Sequence, residues 1–88
     1  MKNYILKYHP EVADDISKIP INMQSRIKRS IEKRLLVDPF KYGEPLRRSL
    51  HGYRKLRVGD YRVIYKVEKH IILILKIGHR KDVYKKKR

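Results

Sequence analysis

The chain has no cysteine, which excludes a disulfide framework and a thiolate metal site and fits a reducing compartment. No stretch approaches the roughly 18 apolar residues that a spanning helix needs, and no membrane partner is expected. The longest apolar run, Ile71 to Leu75, suits a buried strand. The opening residues, MKNYILKYHPEV, lack a long apolar segment and a small-residue cleavage site, so no signal peptide is expected and the expected place is the cytoplasm. Acids are few and form no paired constellation on the basic face. Asp60 falls in a turn and Asp82 stands alone among bases, which argues against metal-dependent nuclease chemistry, where clustered carboxylates are needed. The four histidines, at 9, 51, 70 and 79, show no ligand spacing, and there is no Gly-rich phosphate loop. No metal and no cofactor is expected. Internal repeats and linkers are also missing, and residues 1–88 read as one small domain.

Basic charge, by contrast, is abundant. Twenty-four Lys and Arg against nine Asp and Glu give a net charge of +15 on 88 residues. Self-repulsion at that level opposes compactness, so an anionic partner is expected. Nucleic acid is the commonest; an acidic protein or an anionic membrane comes next. A hydrophobic content of 41% places the chain among globular rather than disordered sequences.

The stretch YRKLRVGDYRVIY, Tyr53 to Tyr65, reads as a β-hairpin turning at Gly59-Asp60, a Gly-X pair suited to a II′ turn. Val58 then faces Tyr61, Arg57 faces Arg62 and Leu56 faces Val63. Alternation puts Leu56, Val58, Tyr61, Val63 and Tyr65 on one face and Tyr53, Lys55, Arg57, Arg62, Ile64 and Lys66 on the other. Two arginines directly opposite each other cost roughly 0.2–1 kcal/mol. A polyanion above the sheet would justify that arrangement.

Upstream, residues 3–8 read as a first strand at or next to the sheet edge. Pro10 suits the first position of a short helix with Val12, Ile16 and Ile19 on its buried stripe; Glu11, Asp14 and Asp15 read as partners of the helix dipole. A second helix is expected from about Asn22, as N-cap, to Leu36, burying Met23, Ile27, Ile31 and Leu35. Arg26, Arg29, Lys33 and Arg34 on its other side read as a solvated face or as phosphate contacts. Residues 38–52 are expected to form a loop, with Phe40, Leu46 and Leu50 turned onto the core and Arg47 and Arg48 leading into the basic face. After the hairpin, a three-residue loop, Glu68-Lys69-His70, would set Val67 against Ile71, Tyr65 against Leu73, Val63 against Leu75 and Tyr61 against Ile77, all on the apolar side. Ile64 would meet Ile74 and Arg62 would meet Lys76 on the other. The expected fold is α+β: an N-terminal strand and an αα-hairpin packed on one face of a four-stranded, mainly antiparallel sheet, with an open basic face opposite.

Lys55, Arg57, Arg62, Lys76 and Arg80 converge on that open face, with His79, Arg80 and Tyr84 arriving from the chain end. A metal-free ribonuclease is compatible with this set, because RNA carries its own nucleophile, the 2′-hydroxyl. Arginine and lysine suit the charge that develops on phosphorus. Positive neighbours favour a phenolate and disfavour a protonated lysine, so Tyr84 beside Lys55, Arg57 and Arg80 reads either as a base or as a core or lid tyrosine.

The run Gly52-Tyr53, Leu56 to Tyr65, then Ile77-Gly78-His79-Arg80 and Val83-Tyr84, with Asp38-Pro39 and Gly43, Pro45 and Leu46 upstream, resembles the RelE/ParE superfamily of toxin–antitoxin modules, on the RelE side. The resemblance spans nearly the whole chain. It implies a type II toxin that acts as a ribosome-dependent endoribonuclease (mRNA interferase), cutting mRNA in the A site by 2′-hydroxyl attack and inhibiting translation. The family's catalytic positions fall on Lys55, Arg57, Arg62, Arg80 and Tyr84: Tyr84 or Lys55 as base, Arg62 on the phosphate, Arg80 stabilising charge or donating the proton. Arg47, Arg48, Lys76, His79 and Lys81 would contact RNA, with His79 a rival proton carrier. Implied partners are the ribosome with its 16S rRNA, mRNA, and a cognate acidic antitoxin. The alternatives are a ParE-type non-enzymatic toxin that binds DNA gyrase and a non-catalytic RNA-binding module.

Overall fold

The computed structural model describes residues 3–46 and 52–84. The chain forms β1 (Ile5–Tyr8), α1 (Val12–Ser17), α2 (Ile21–Ser30), β2 (Glu44–Pro45), β3 (Arg54–Val58), β4 (Tyr61–Glu68) and β5 (Ile71–His79). The strands make one five-stranded sheet in the order β1-β5-β4-β3-β2. β1 runs parallel to β5 at one edge, and the other neighbours are antiparallel. This is the expected α+β architecture with one strand more than expected. Glu44 and Pro45, read as loop, pair with Lys55 and Arg54. Proline is tolerated there because the strand is an edge and needs no outward donor.

The two helices bury their apolar stripes on one face of the sheet. Val12, Ile19, Ile27, Ile31 and Leu35 meet Leu56, Val58, Val63, Tyr65, Ile72, Ile74 and Ile77 in a single cluster. α1 begins at Val12 rather than at Pro10, which lies in the preceding turn; the Val12 N–H donates to the His9 carbonyl at 2.9 Å. α2 begins at Ile21 with Pro20 in the cap position and no side-chain cap, so Asn22 is not the N-cap. The junction is held instead by Gln24, whose Nε2 donates to the carbonyls of Ile16 (3.0 Å) and Ile19 (2.8 Å). The stripe Met23, Ile27, Ile31, Leu35 repeats every four residues, and an α-helix at about 3.6 residues per turn drifts off such a stripe by about 40° each step. α2 ends in a wider π-turn at Ile31–Leu35, closed by Leu36 N–H to the Ile31 carbonyl at 3.1 Å. That i→i+5 closure holds more residues per turn and rotates Leu35 back onto the core, where it is fully buried.

The first hairpin has the expected register, with Val58 opposite Tyr61, Arg57 opposite Arg62 and Leu56 opposite Val63. The second does not. Its turn has two residues, Lys69-His70, and Glu68 already pairs with Ile71. Val67 therefore faces Ile72 and Tyr65 faces Ile74; a bulge between Ile64 and Tyr65 then shifts the ladder, so that Ile64 faces Lys76, Val63 faces Ile77, Arg62 faces Gly78 and Tyr61 faces His79. The residues turned into the core are Ile72 and Ile74, both fully buried, whereas Leu73, expected inside, lies beside Lys66 and is partly exposed. Leu75 is the extra residue of the bulge.

At the other edge β1 stops opposite Ile74 while β5 continues to His79. α1 lies along the uncovered stretch. There the Asp15 carboxylate, with its side chain only 11% exposed, accepts the Ile77 N–H at 3.1 Å and pairs with the Lys76 ammonium at 3.6 Å. Asp15 lies in the first turn of its helix, as expected, and also covers the sheet edge. Among the described residues no helix is long and apolar enough to cross a membrane.

Candidate functional site

The face of the sheet away from the helices carries the basic side chains. Arg57 and Arg62 stand directly opposite on β3 and β4, and their like charges are separated by being drawn in different directions. Arg57 leans toward the edge, its Nε 3.8 Å from a Glu44 carboxylate oxygen. Arg62 folds back onto the hairpin turn, where one Nη donates to the carbonyls of Gly59 and Tyr61, each at 2.9 Å. The turn also holds Arg80. Its backbone N–H donates to the Asp60 carbonyl at 2.7 Å, and its Nε lies 3.6 Å from the Asp60 carboxylate.

Beyond β5 the chain makes a tight turn, with the Asp82 and Val83 N–H groups donating to the His79 carbonyl at 2.8 and 2.9 Å. Val83 is buried against Gly78. Ile64 is buried too, on the side of β4 opposite Val63 and Tyr65, and neither Ile64 nor Val83 belongs to the main core. Val83 thus anchors the chain end against β5 at Gly78. The next residue, Tyr84, lies with the centre of its ring 5.9 Å from the Lys55 ammonium, a cation–π contact that sets the two candidate proton carriers side by side. Tyr84 remains 43% exposed.

The rings of His79 and Tyr61 pack edge to face, with centroids 5.5 Å apart. The His79 Nδ1 accepts the Lys81 N–H at 3.2 Å, so that nitrogen is engaged in shaping the turn. Lys81 itself is exposed. Lys76, expected among the RNA contacts, is drawn to Asp15. Arg47 and Arg48, also expected there, lie outside the described residues, as does Leu50. Phe40 does not reach the core: it is 53% exposed and carries the Arg54 guanidinium 5.3 Å from its ring.

Arg54 is a loop-holding side chain next to the candidate site that reading the sequence missed. Its Nη2 donates to the carbonyls of Phe40 and Gly43, both at 2.9 Å, and so pins the loop that becomes β2. Tyr65 fixes the same loop from beneath, its hydroxyl donating to the Pro39 carbonyl at 2.6 Å. Gly43 sits directly on that hydroxyl, and any side chain there would collide with it. Burial pushes the Tyr65 hydroxyl above the ordinary 10.0, offset in part by the nearby Arg54 cation. This clamp places Glu44 within reach of Arg57. Alternation held the signal for Arg54, since a cation on the core-facing register of β3 needs a partner. The candidate cations therefore fall into two groups among the described residues. Arg57, Lys76 and Arg80 each have a carboxylate within ion-pair reach, while Lys55 and Arg62 have none. No group of three metal-ligating side chains occurs among the described residues.

A family model described as ParE toxin of type II toxin–antitoxin system, parDE, matches residues 6–84. Toxin RelG of Mycobacterium tuberculosis is 29% identical over 85 residues, covering 94% of this chain and 98% of its own. Toxin RelE of the same organism is 32% identical over 75 residues, covering 83% of this chain and 77% of its own. The crystal structure of the M. tuberculosis toxin–antitoxin complex RelBE2 contains a chain that superposes with a TM-score of 0.82 at 28% identity, over 89% of this chain and 99% of that one.

Proposed function

The chain belongs to the RelE/ParE family of type II toxin–antitoxin toxins, and from that premise we propose that it is an endoribonuclease that cleaves mRNA on the ribosome without a metal. The observation that carries the reading is the meeting of Tyr84 with Lys55 on a face lined by Arg57, Arg62 and Arg80. Tyr84 as its phenolate, or Lys55 as its neutral amine, takes the proton from the 2′-hydroxyl. The 2′-oxygen bonds to phosphorus, the bond to the 5′-oxygen breaks, and the products are a 2′,3′-cyclic phosphate and a 5′-hydroxyl. Arg62 and Arg80 meet the charge that develops on the phosphoryl oxygens, where preorganised donors act most strongly. Arg80 protonates the leaving oxygen or stabilises its charge while water does so. Lys55 and Arg57 orient the backbone.

A cognate acidic antitoxin completes the reading. A net charge of +15 calls for a polyanionic cover, and the M. tuberculosis relative was solved as a toxin–antitoxin complex. Its expected place is along the helices and over the basic face. The name of the matching family model favours a second reading, a toxin of the ParE type that binds DNA gyrase without catalysis.

The test is mRNA cleavage by purified protein with and without 70S ribosomes, mapped by primer extension. Cuts inside codons are expected only with ribosomes. Arg62→Ala should slow them by about 10²–10³-fold, the usual loss for one charge-stabilising donor, with an unchanged melt. No cuts in either tube from folded protein would sink the nuclease reading, and a supercoiling assay would then decide for or against gyrase.

A further inference from the structure

We infer that Asp60 is a positioning residue that aims the Arg80 guanidinium at a substrate phosphate, an inference that rests on the nuclease reading above. An acid in this place needs a reason. It lies on the basic face of a chain with only nine acids, where it weakens attraction for a polyanion. The turn does not require it: Gly59 takes the left-handed backbone, with φ 59°, and residue 60 does not, so many residues fit there. Nor does stability require it. The two side chains are 71% and 55% exposed, and an exposed ion pair contributes little.

The geometry supplies the reason. Asp60 holds Arg80 twice, by its carbonyl on the backbone N–H at 2.7 Å and by its carboxylate on Nε at 3.6 Å. The carboxylate faces the Nε edge of the guanidinium. A guanidinium has five N–H donors in a rigid fork. With the Nε edge turned to Asp60, the paired Nη groups are left for two phosphoryl oxygens, the bidentate contact to which arginine is suited. The same turn holds Arg62 through the Gly59 carbonyl at 2.9 Å. One two-residue turn therefore sets the aim of both arginines that meet the developing charge.

Asp60→Asn keeps the turn and the backbone hydrogen bond and removes the charge. It should bind single-stranded RNA as tightly as the parent or more tightly, yet cleave with kcat lowered roughly tenfold, equivalent to about 1.4 kcal/mol of transition-state stabilisation. KM should not rise, the melting temperature should not move, and Asp60→Glu should restore most of kcat. An unchanged kcat in Asp60→Asn overturns the inference. A second measurement does not depend on cleavage: hydrogen exchange at the Arg80 Nε–H, followed by NMR, should be slower than at Arg29, an exposed arginine of α2, and should rise to the Arg29 rate in Asp60→Asn. Equal exchange at Arg80 and Arg29 in the parent also overturns it. Slow exchange that Asp60→Asn abolishes, in a parent that cuts no message, upholds the held guanidinium and removes the nuclease reading alone.

Discussion

The turns at the two ends of β4 are alike in length and backbone and opposite in consequence. Each has two residues, and each puts a left-handed residue first: Gly59 at φ 59° and Lys69 at φ 56°. Glycine adopts that backbone freely, whereas an L-residue is opposed by its Cβ at a cost of roughly 1–2 kcal/mol. The Gly59-Asp60 turn carries the arginines of the basic face. At the Lys69-His70 turn the His70 carbonyl accepts the Ile5 N–H at 2.8 Å and starts the pairing of β1. The relaxed turn thus lies at the site, where side chains are aimed, and the strained one lies where the sheet is only being closed. What the second turn does control is which residues of β5 enter the core.

The sharpest way to test that control is a pair of substitutions one residue apart. Ile74→Asp should unfold the domain, because it buries an unpaired carboxylate at a cost of several kcal/mol. Leu73→Asp should leave a cooperative melt, weakened by about 1 kcal/mol, because residue 73 is partly exposed and lies beside Lys66. If Leu73→Asp unfolds the chain and Ile74→Asp does not, the two-residue turn is wrong.

A smaller effect separates the turns themselves. Gly59→Ala should cost about 1–2 kcal/mol by denaturant titration, since alanine must take the left-handed backbone and its Cβ would come within 3.2 Å of Arg26 Nη1. Lys69→Gly should stabilise by roughly 0.5–1 kcal/mol for the converse reason. Equal signs at the two positions would erase the contrast.

An effect of similar size, visible mainly at high pH, lies between the turns, at Tyr65. A tyrosine whose folded value is raised contributes stability below its unfolded value and loses it as pH climbs through the folded one. Burial raises Tyr65, and burial followed by the Glu32 charge raises Tyr8, above 10.0. Melting temperature should therefore fall as pH rises beyond about 10. Tyr65→Phe should flatten that fall, at a cost of about 1 kcal/mol near neutrality for the lost bond to Pro39. An alkaline limb as steep as the parent's would assign the loss to other groups.

The same contrast explains what was legible in the chain. Gly59-Asp60 announces its turn, and the flanking residues alternate apolar with basic, so register and both faces could be read as far as Tyr65. In Ile71 to Leu75 every residue is apolar, and slipping the strand by one exchanges one aliphatic side chain for another, which removes the usual penalty that fixes register. Nothing local marks Lys69 as left-handed or Leu75 as a bulge. In the candidate site, alternation exposed Lys55, Arg57 and Arg62, charge and proton-transfer chemistry pointed to Arg80 and Tyr84 at the chain end, and the family resemblance gave all five catalytic roles. The acids beside the cations were not legible. Glu44 reaches Arg57, and Asp15 reaches Lys76, only through contacts distant in sequence, and the first depends on Arg54 and Tyr65 clamping a loop. Asp60 was placed in its turn but not joined to Arg80.

The carboxylate at the end of β1 has a consequence for life in a crowded cell. β5 outruns its parallel neighbour, and a strand that outruns its neighbour is a template on which a foreign chain can begin to pair. At the midpoint of that overhang the Ile77 donor is already taken by Asp15, with α1 laid alongside. A strand pairing at Ile77 would have to displace a nearly buried anion. This edge of the sheet is thereby guarded by a helix-borne carboxylate alone, whereas the opposite edge, β2, is guarded by Pro45.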